Sequence, residues 1–242
     1  MAATADSLLE RLAAKPGQAA LLLDFDGVLA PIVAVPDAAA VPEETRTELR
    51  RLAGRYALVG VVSGRAGDDV RSRVAVEGLA YVGSHGLELD PQADRWRQTI
   101  AAFAAEAPWP SGWIERKGLS LSLHYRAAAD ERAAVLELEA IAATAREAGL
   151  VARFGRKVLE VLPPLGSHKG TAVRHLLAEA GLDRALAAGD DTTDLDSFRA
   201  LDGLELAVRV AVVSPESPSL LAESADVVVA SPAEFLDLLR RL

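Results

Sequence analysis

An apolar run that ends in two closely spaced aspartates constrains the fold of this chain more than any other feature. In residues 21–31, LLLDFDGVLAP, three leucines lead into Asp24 and Asp26, and Gly27 follows at once. A continuous apolar run that stops at a glycine is typical of a buried parallel strand. In open α/β sheets the chemistry lies just beyond the carboxyl ends of such strands. Because side chains alternate along a strand, we expect Asp24 and Asp26 on one side of the chain at that edge.

The paired aspartates have two interpretations. Two neighbouring carboxylates repel each other unless a cation or a shared proton relieves the repulsion, and this indicates a functional site. The alternative is a plain turn, because Asp bonds its own backbone and Gly accepts a positive φ where a strand ends. The motif by itself leaves both interpretations open.

Strands and helices alternate on both sides of this motif. Apolar segments typical of strands occupy residues 19–24, 56–62, 79–82, 185–188, 204–210 and 227–229. Helical segments separate them, and we expect Ser167 to cap one that runs to about residue 180. The order predicts an α/β fold with a doubly wound, Rossmann-like parallel sheet built from right-handed crossovers.

The alternation changes in the middle of the chain. Within residues 113–126, apolar and polar side chains alternate over Leu119, Leu121, Leu123 and Tyr125, as in one antiparallel strand with a solvated face. A helix over about 129–148 and a hairpin around Gly155 and Arg156 follow. We therefore predict a smaller α+β cap domain at 107–165, inserted into a core of residues 1–106 plus 166–242. Prolines mark its edges: Pro108 and Pro110 before it, Pro163 and Pro164 after it.

Charge and composition exclude several classes of protein. The net charge is −9, from 35 acidic and 26 basic residues, which argues against a binder of nucleic acid. The chain contains no cysteine, so disulfides and thiolate metal sites are excluded. No apolar run approaches the roughly 20 residues of a membrane span, and the first residues do not resemble a signal peptide. We expect a cytoplasmic protein with no membrane partner.

Further polar residues follow other elements of the predicted core. Ser63 ends the second strand, Lys169 begins a helix, and Asp190, Asp191 and Asp194 follow a later strand. The strand ends of a doubly wound sheet converge on one crevice. Carboxylates there would supply oxygen ligands for Mg²⁺, and a hydroxyl with an ammonium would hold a phosphoryl group. The pattern predicts phosphoryl transfer through an aspartate nucleophile, although each motif alone is also compatible with a turn, a solvated lysine or a helix cap.

The motifs DFDGVL, VVSGR, the lysine of SHKG, and GDDTTD together resemble those of the haloacid-dehalogenase-like phosphatases. The resemblance implies that Asp24 is the nucleophile and forms an aspartyl-phosphate. It implies that Asp26 is the general acid and then the general base, and that Ser63 and Lys169 hold the transferring group. Val28 stands where the family commonly has threonine, which removes a hydroxyl but none of the reacting groups.

The same resemblance implies a metal site and a cap of the C2 type. Mg²⁺ would be held by Asp24, the backbone carbonyl of Asp26, and Asp190. Asp191 and Asp194 would lie behind these ligands, one of them orienting the lysine.

Three longer segments resemble the trehalose-6-phosphate phosphatase family more closely. They are GSHGLEL at 83–89, ERKGLSLSLHYR at 115–126 and GRKVLEVLP at 155–163. The resemblance implies that the substrate is bound by Glu115, Lys117, Glu160, Arg65, His85 and Gly86. Of these, Glu115, Lys117 and Glu160 would bind the distal glucose from the cap, and His85 and Gly86 would lie near the hinge or the substrate.

The resemblance implies a small-molecule sugar phosphate as ligand. The expected reaction is Mg²⁺-dependent hydrolysis of trehalose 6-phosphate to trehalose and phosphate, the last step of trehalose biosynthesis. We expect a free-standing phosphatase that pairs functionally with a separate synthase. Two alternatives stay open: a phosphatase for another sugar phosphate, such as that of sucrose or glucosylglycerol, and a non-catalytic sugar-phosphate sensor.

Overall fold

A computed structural model describes residues 4–33, 36–106, 109, 112–155 and 157–242. The strands are β1 (Ala20–Leu23), β2 (Leu58–Val62), β3 (Ala80–Val82), β4 (Trp113–Arg116), β5 (Leu121–His124), β6 (Val151–Gly155), β7 (Val158–Leu162), β8 (Arg184–Gly189), β9 (Leu206–Val212) and β10 (Val227–Val229). The α-helices are α1 (Ala5–Ala13), α2 (Glu43–Ala53), α3 (Gly67–Val74), α4 (Arg97–Glu106), α5 (Glu131–Glu147), α6 (Lys169–Ala180), α7 (Asp194–Ala200), α8 (Ser219–Glu223) and α9 (Pro232–Leu239). Across the described ranges, none of these helices is long and apolar enough to cross a membrane.

The chain divides into two compact units. The first comprises Met1–Gly86 and His168–Leu242, and the second comprises Leu87–Ser167. The first unit is built on a six-stranded sheet in the order β10-β9-β8-β1-β2-β3, in which every neighbouring pair is parallel. The second contains an antiparallel sheet in the order β4-β5-β7-β6. The predicted α/β fold, a parallel core with a smaller inserted α+β cap, is confirmed.

Strand β1 lies at the centre of the parallel sheet because its four residues are apolar and all are buried. Leu21 and Leu23 pack on one face, in the core that also holds Leu49 and Leu52 of α2. On the other face, Gly60 of β2 leaves room for the side chains of Leu22 and Leu176, which approach to 3.1 and 3.5 Å of the position a Cβ would take. Helices therefore cover both faces of the sheet.

The register of the parallel sheet brings three strand ends together. Leu23 of β1 pairs with Val61 of β2 on one side and with Ala188 of β8 on the other. The backbone N–H of Asp24 continues the ladder by donating to the Ala188 carbonyl at 3.0 Å. The residues that follow β1, β2 and β8 consequently lie at one edge of the sheet.

The second unit is a four-stranded sheet with helices against one face. Leu121, Leu123 and Leu159 share a core with Phe103 of α4 and Leu138 of α5. The prediction of one strand over 113–126 is wrong, because β4 and β5 are two antiparallel strands joined by a turn. Gly118 makes that turn with a φ of +77°, a conformation that favours glycine.

The second unit begins about twenty residues earlier than the expected cap, at Leu87 instead of 107. Helix α4 belongs to it because Ile100, Phe103 and Ala104 are buried in its core. Pro108 and Pro110, the expected markers of that boundary, lie outside the described residues. The unit ends at Ser167, whose Oγ donates to Asp90 Oδ2 at 2.8 Å instead of capping α6.

Candidate active site

The first part of the site is the loop that follows β1. The N–H of Gly27 donates to the Ala30 carbonyl at 2.8 Å, and the N–H of Ala30 donates to the Phe25 carbonyl at 2.9 Å. Gly27 has a φ of +76°, and a Cβ there would lie 2.2 Å from Asp190 Oδ2. The glycine is therefore required twice, once by the backbone and once by the carboxylate of Asp190 that lies against the loop.

A buried lysine connects the loop to the rest of the site. Lys169 Nζ lies 2.9 Å from Asp24 Oδ2 and 2.8 Å from Asp194 Oδ1, and all three residues are buried. Lys169 is the first residue of α6, whose start is held by reciprocal hydrogen bonds between His168 and Thr171. These hydrogen bonds at the start of α6 fix the position of the Lys169 backbone.

Burial and charge set the protonation of these groups. Burial raises the pKa of Asp24 to about 7, and Asp194 and Asp26 act in the same direction while the Lys169 ammonium opposes them. Burial alone would lower the pKa of Lys169, but the carboxylates of Asp194 and Asp24 outweigh it, so the pKa of Lys169 lies above its usual value. Lys169 is thus a permanent cation, and a further positive charge would favour the ionised form of Asp24.

Three carboxylates could hold a metal ion. Asp24, Asp190 and Asp194 each offer one oxygen, and these oxygens lie within 4.8 Å of one another. They are hard donors, which suit a divalent cation such as Mg²⁺, and the single Lys169 ammonium does not balance three negative charges. The residues present therefore fit a divalent metal ion.

Asp194 also organises its own loop. Its Oδ2 accepts the backbone N–H groups of Asp190 and Asp191, both at 3.1 Å. Gly189 permits this, since a Cβ there would lie 2.1 Å from that of Asp194. The Asp191 Oδ1 accepts instead from the N–H of Thr192 at 2.7 Å. Of the two aspartates expected behind the ligands, Asp194 is the one that contacts Lys169.

Asp26 is held by an arginine. Arg65 Nε lies 2.7 Å from Asp26 Oδ2, and Arg65 Nη2 lies 2.8 Å from Asp26 Oδ1. The arginine is buried, contacts Asp69 Oδ2 at 3.3 Å, and lies over the ring of Phe25 at 5.1 Å from the ring centroid. Sequence reasoning placed Arg65 among the substrate ligands and did not anticipate this pair.

Ser63 lies at the junction between the ends of β2 and β3, where its N–H donates to the Val82 carbonyl at 2.9 Å. It is fully buried, and its Oγ accepts from the backbone N–H of Arg65 at 3.2 Å. The N–H of His85 donates to the Ser63 carbonyl at 2.9 Å, and the His85 ring would lie 2.6 Å from a Cβ at Gly64. Gly86 follows with a φ of +95° and packs against the His168 carbonyl. His85 and Gly86 thus shape the loop that carries Ser63.

The second unit has a separate cluster of charged side chains. Lys117 Nζ lies 3.6 Å from Glu115 Oε2 and 3.8 Å from Glu160 Oε1. His124 Nε2 lies 3.0 Å from Glu115 Oε2, and Arg153 Nη2 lies 2.9 Å from Glu160 Oε2. The structure therefore brings together Glu115, Lys117 and Glu160, the residues that the resemblance assigns to the distal glucose, and adds a histidine and an arginine to them.

The parallel sheet and the carboxylate and lysine groups at its strand ends define an α/β protein with an acidic site at the sheet edge. Its fold is similar to that of a haloacid dehalogenase-like hydrolase from Bacteroides thetaiotaomicron, with a TM-score of 0.64 and 12% identity. The model of the family described as Trehalose-phosphatase matches residues 22–228, and the chain belongs to that family.

Individual known proteins are similar to this chain. The chain is 33% identical over 234 residues to a trehalose-phosphate phosphatase from Mycobacterium marinum, covering 84% of this chain and 60% of that protein. It is 37% identical over 213 residues to an uncharacterized glycosyl hydrolase from Mycobacterium tuberculosis, covering 78% of this chain and 16% of that protein. The chain thus spans less than two thirds of these relatives. The C-terminal domain of a trehalose-6-phosphate phosphatase from C. albicans has the same fold, with a TM-score of 0.78, 23% identity, and coverage of 97% of this chain and 94% of that one.

Proposed function

We propose that this protein hydrolyses trehalose 6-phosphate to trehalose and inorganic phosphate. The observation that carries the proposal is the buried ion pair between Lys169 Nζ and Asp24 Oδ2, at 2.9 Å, at the end of the central strand. The pair places a candidate nucleophilic carboxylate next to a fixed positive charge, an arrangement that suits phosphoryl transfer through a covalent intermediate. Membership of the trehalose-phosphatase family supports the substrate.

The reaction proceeds in two steps. An oxygen of Asp24 attacks phosphorus, the bond from phosphorus to the sugar oxygen breaks, and Asp26 donates a proton to that oxygen as it leaves. Water then attacks the phosphorus of the aspartyl-phosphate, Asp26 takes the proton of that water, and Asp24 is regenerated as phosphate leaves. Arg65 contacts both oxygens of Asp26 in the resting protein and orients this carboxylate, and one of the two contacts has to open when that oxygen carries the proton.

The remaining core residues bind the phosphoryl group and the metal ion. Ser63 donates its hydroxyl hydrogen and Lys169 supplies positive charge to the phosphoryl oxygens. Asp24, Asp190 and the backbone carbonyl of Asp26 would hold Mg²⁺. When bound, that ion neutralises charge on the phosphoryl oxygens and favours the ionised nucleophile.

Asp194 positions Lys169 and the loop of Asp190, whereas Asp191 orders its own turn. Arg65 acts on the substrate through Asp26. His85 and Gly86 act on it through the loop that carries Ser63.

We assign recognition of the sugar to the second unit. Glu115, Lys117 and Glu160 combine acceptors and a donor in one cluster, which suits the hydroxyl groups of the distal glucose. A separate synthase that makes the sugar phosphate would be the functional partner of this reaction. Sugar recognition is needed because the carboxylate chemistry itself does not distinguish one leaving group from another.

A panel of sugar phosphates tests the proposal. Phosphate release with Mg²⁺ should give a kcat/KM for trehalose 6-phosphate at least about tenfold above those for sucrose, glucosylglycerol and glucose phosphates, the discrimination that one good contact provides. A higher kcat/KM for another member of the panel would identify a different sugar phosphatase. Saturable binding of trehalose 6-phosphate without any phosphate release would identify a sensor instead.

A further inference from the structure

One face of the antiparallel sheet carries an unbroken row of polar side chains. The strand register aligns Glu115, Ser122, Glu160 and Arg153 across β4, β5, β7 and β6. Side chains alternate between the faces of a strand, so these four share one face. The opposite face bears the leucines that pack against α4 and α5. The polar row is thus a separate surface from the core of the unit.

An aromatic pair adjoins this row on the same face. Trp113 pairs with His124 in the register of β4 and β5, two residues from Glu115 along the strand. The two rings lie 5.1 Å apart between centroids with an interplanar angle of 34°, and Trp113 is 40% exposed. His124 in turn contacts Glu115 at 3.0 Å. An exposed indole therefore lies beside carboxylates that are held in place.

A second observation on the same face also points to a ligand. The Oγ of Ser122 is buried and has no hydrogen-bond partner in the part of the chain that the structure describes. A buried hydroxyl without a partner is unfavourable, so such groups call for an explanation. Its place in the row between Glu115 and Glu160 suits a hydroxyl-bearing ligand.

We infer that Trp113 is a specificity-determining residue whose indole ring covers the apolar face of a glucosyl ring. A hexopyranose presents C–H groups on its faces and hydroxyl groups around its edge. An aromatic surface next to carboxylates complements both parts, because aromatic rings contribute large apolar contact area while a few fixed polar groups set orientation. The inference rests on the proposed function, since it assigns a contact for the sugar of that substrate.

The same sheet offers a matched control. Phe154 of β6 is also 40% exposed, but it pairs with Leu159 and belongs to the opposite face. A Phe154→Ala variant therefore removes an aromatic ring of equal exposure from the wrong side of the sheet. General damage to the sheet would affect both variants.

Kinetics on two substrates test the inference. We expect Trp113→Ala to lower the ratio of kcat/KM for trehalose 6-phosphate to kcat/KM for p-nitrophenyl phosphate by about three- to tenfold, the range of an aromatic contact. Trp113→Phe should restore most of the ratio, and Phe154→Ala should leave it unchanged. An unchanged ratio in Trp113→Ala overturns the inference. If that variant keeps the ratio but alters self-association, the ring covers a second copy of the chain instead of a sugar, and the inference is also overturned.

Fluorescence supplies a readout that does not depend on turnover. Trp113 is one of three tryptophans, so titration with trehalose should change the emission of the wild-type protein, and Trp113→Phe should lose most of that change. Retention of the full change in Trp113→Phe, or no change in the wild type, contradicts the inference. If the wild type prefers another disaccharide phosphate, the proposed function fails, and the same ratio and titration with that sugar still test Trp113.

Discussion

Arg65 engages both carboxylate oxygens of Asp26, with nitrogen to oxygen distances of 2.7 and 2.8 Å. Paired contacts of this kind fix orientation as well as charge, because the planar guanidinium matches the carboxylate. The guanidinium is buried and is itself held by Asp69 and the ring of Phe25. The direction of Asp26 is consequently set by an arginine at the end of the neighbouring strand.

Replacement of this arginine by lysine should impair the proton transfer assigned to Asp26. We expect Arg65→Lys to lower kcat/KM for trehalose 6-phosphate by about 10- to 100-fold, within the range of general acid catalysis. The loss should be smaller for p-nitrophenyl phosphate, whose leaving group needs no proton. Arg71→Lys, an exposed position on the next helix, is the control. Equal losses on both substrates would mean that Arg65 only stabilises the loop.

The pKa of Asp24 gives stability a pH dependence. Its pKa is raised to about 7 in the folded protein from 3.8, so its contribution to stability is fully present below pH 3.8 and is lost as the pH rises through 7. In EDTA, the Tm of Asp24→Asn relative to that of the wild type should therefore rise by about 4 °C or more from pH 4.5 to pH 8. Thermal unfolding at both pH values measures this. A Tm difference that stays constant, or that moves in favour of the wild type, would contradict the burial cost assigned to Asp24.

Magnesium should stabilise the folded protein through Asp190. At a concentration about 100 times its Kd, a bound ion contributes about 2.7 kcal/mol. We expect Asp190→Asn to lose most of the increase in Tm that Mg²⁺ produces in the wild type. Asp191→Asn, whose Oδ1 contacts its own loop, should retain most of it. Equal increases in Tm in the two variants would contradict the assignment of the metal ion to Asp190 and not to Asp191.

A methyl group at Gly27 should disturb the site from the backbone side. Its Cβ would lie 2.2 Å from Asp190 Oδ2, and the φ of +76° is unfavourable for alanine. We expect Gly27→Ala to cost about 2–4 kcal/mol in the free energy of unfolding, in the range of strained and displaced sites. Gly17→Ala is the control, since nothing lies within 4 Å of a Cβ there. Denaturant unfolding compares them, and equal stabilities would contradict the close approach of Asp190.

The sequence predicts the parts of the fold and site that follow from strand ends. Asp24 and Asp190 end buried apolar runs, so the parallel sheet alone brings them close, and Lys169 follows from its motif. The turn at Gly118 was missed because the regular alternation over 119–125 dominates the segment, whereas the charged residues before Gly118 carry no alternating pattern that would mark a second strand. The early start of the second unit was missed because the burial of Phe103 depends on tertiary packing. Pairing of Arg65 with Asp26 joins residues 39 positions apart, which no local pattern reveals.

Identification of the phosphorylated residue tests the central claim most directly. Wild-type protein mixed with trehalose 6-phosphate and Mg²⁺ is quenched in acid during the first turnovers, reduced with borohydride at the acyl phosphate, and mapped by peptide mass spectrometry. We predict modification at Asp24, with none in Asp24→Asn, which should also release no phosphate. Turnover with modification at another aspartate, or continued turnover by Asp24→Asn, would contradict the account.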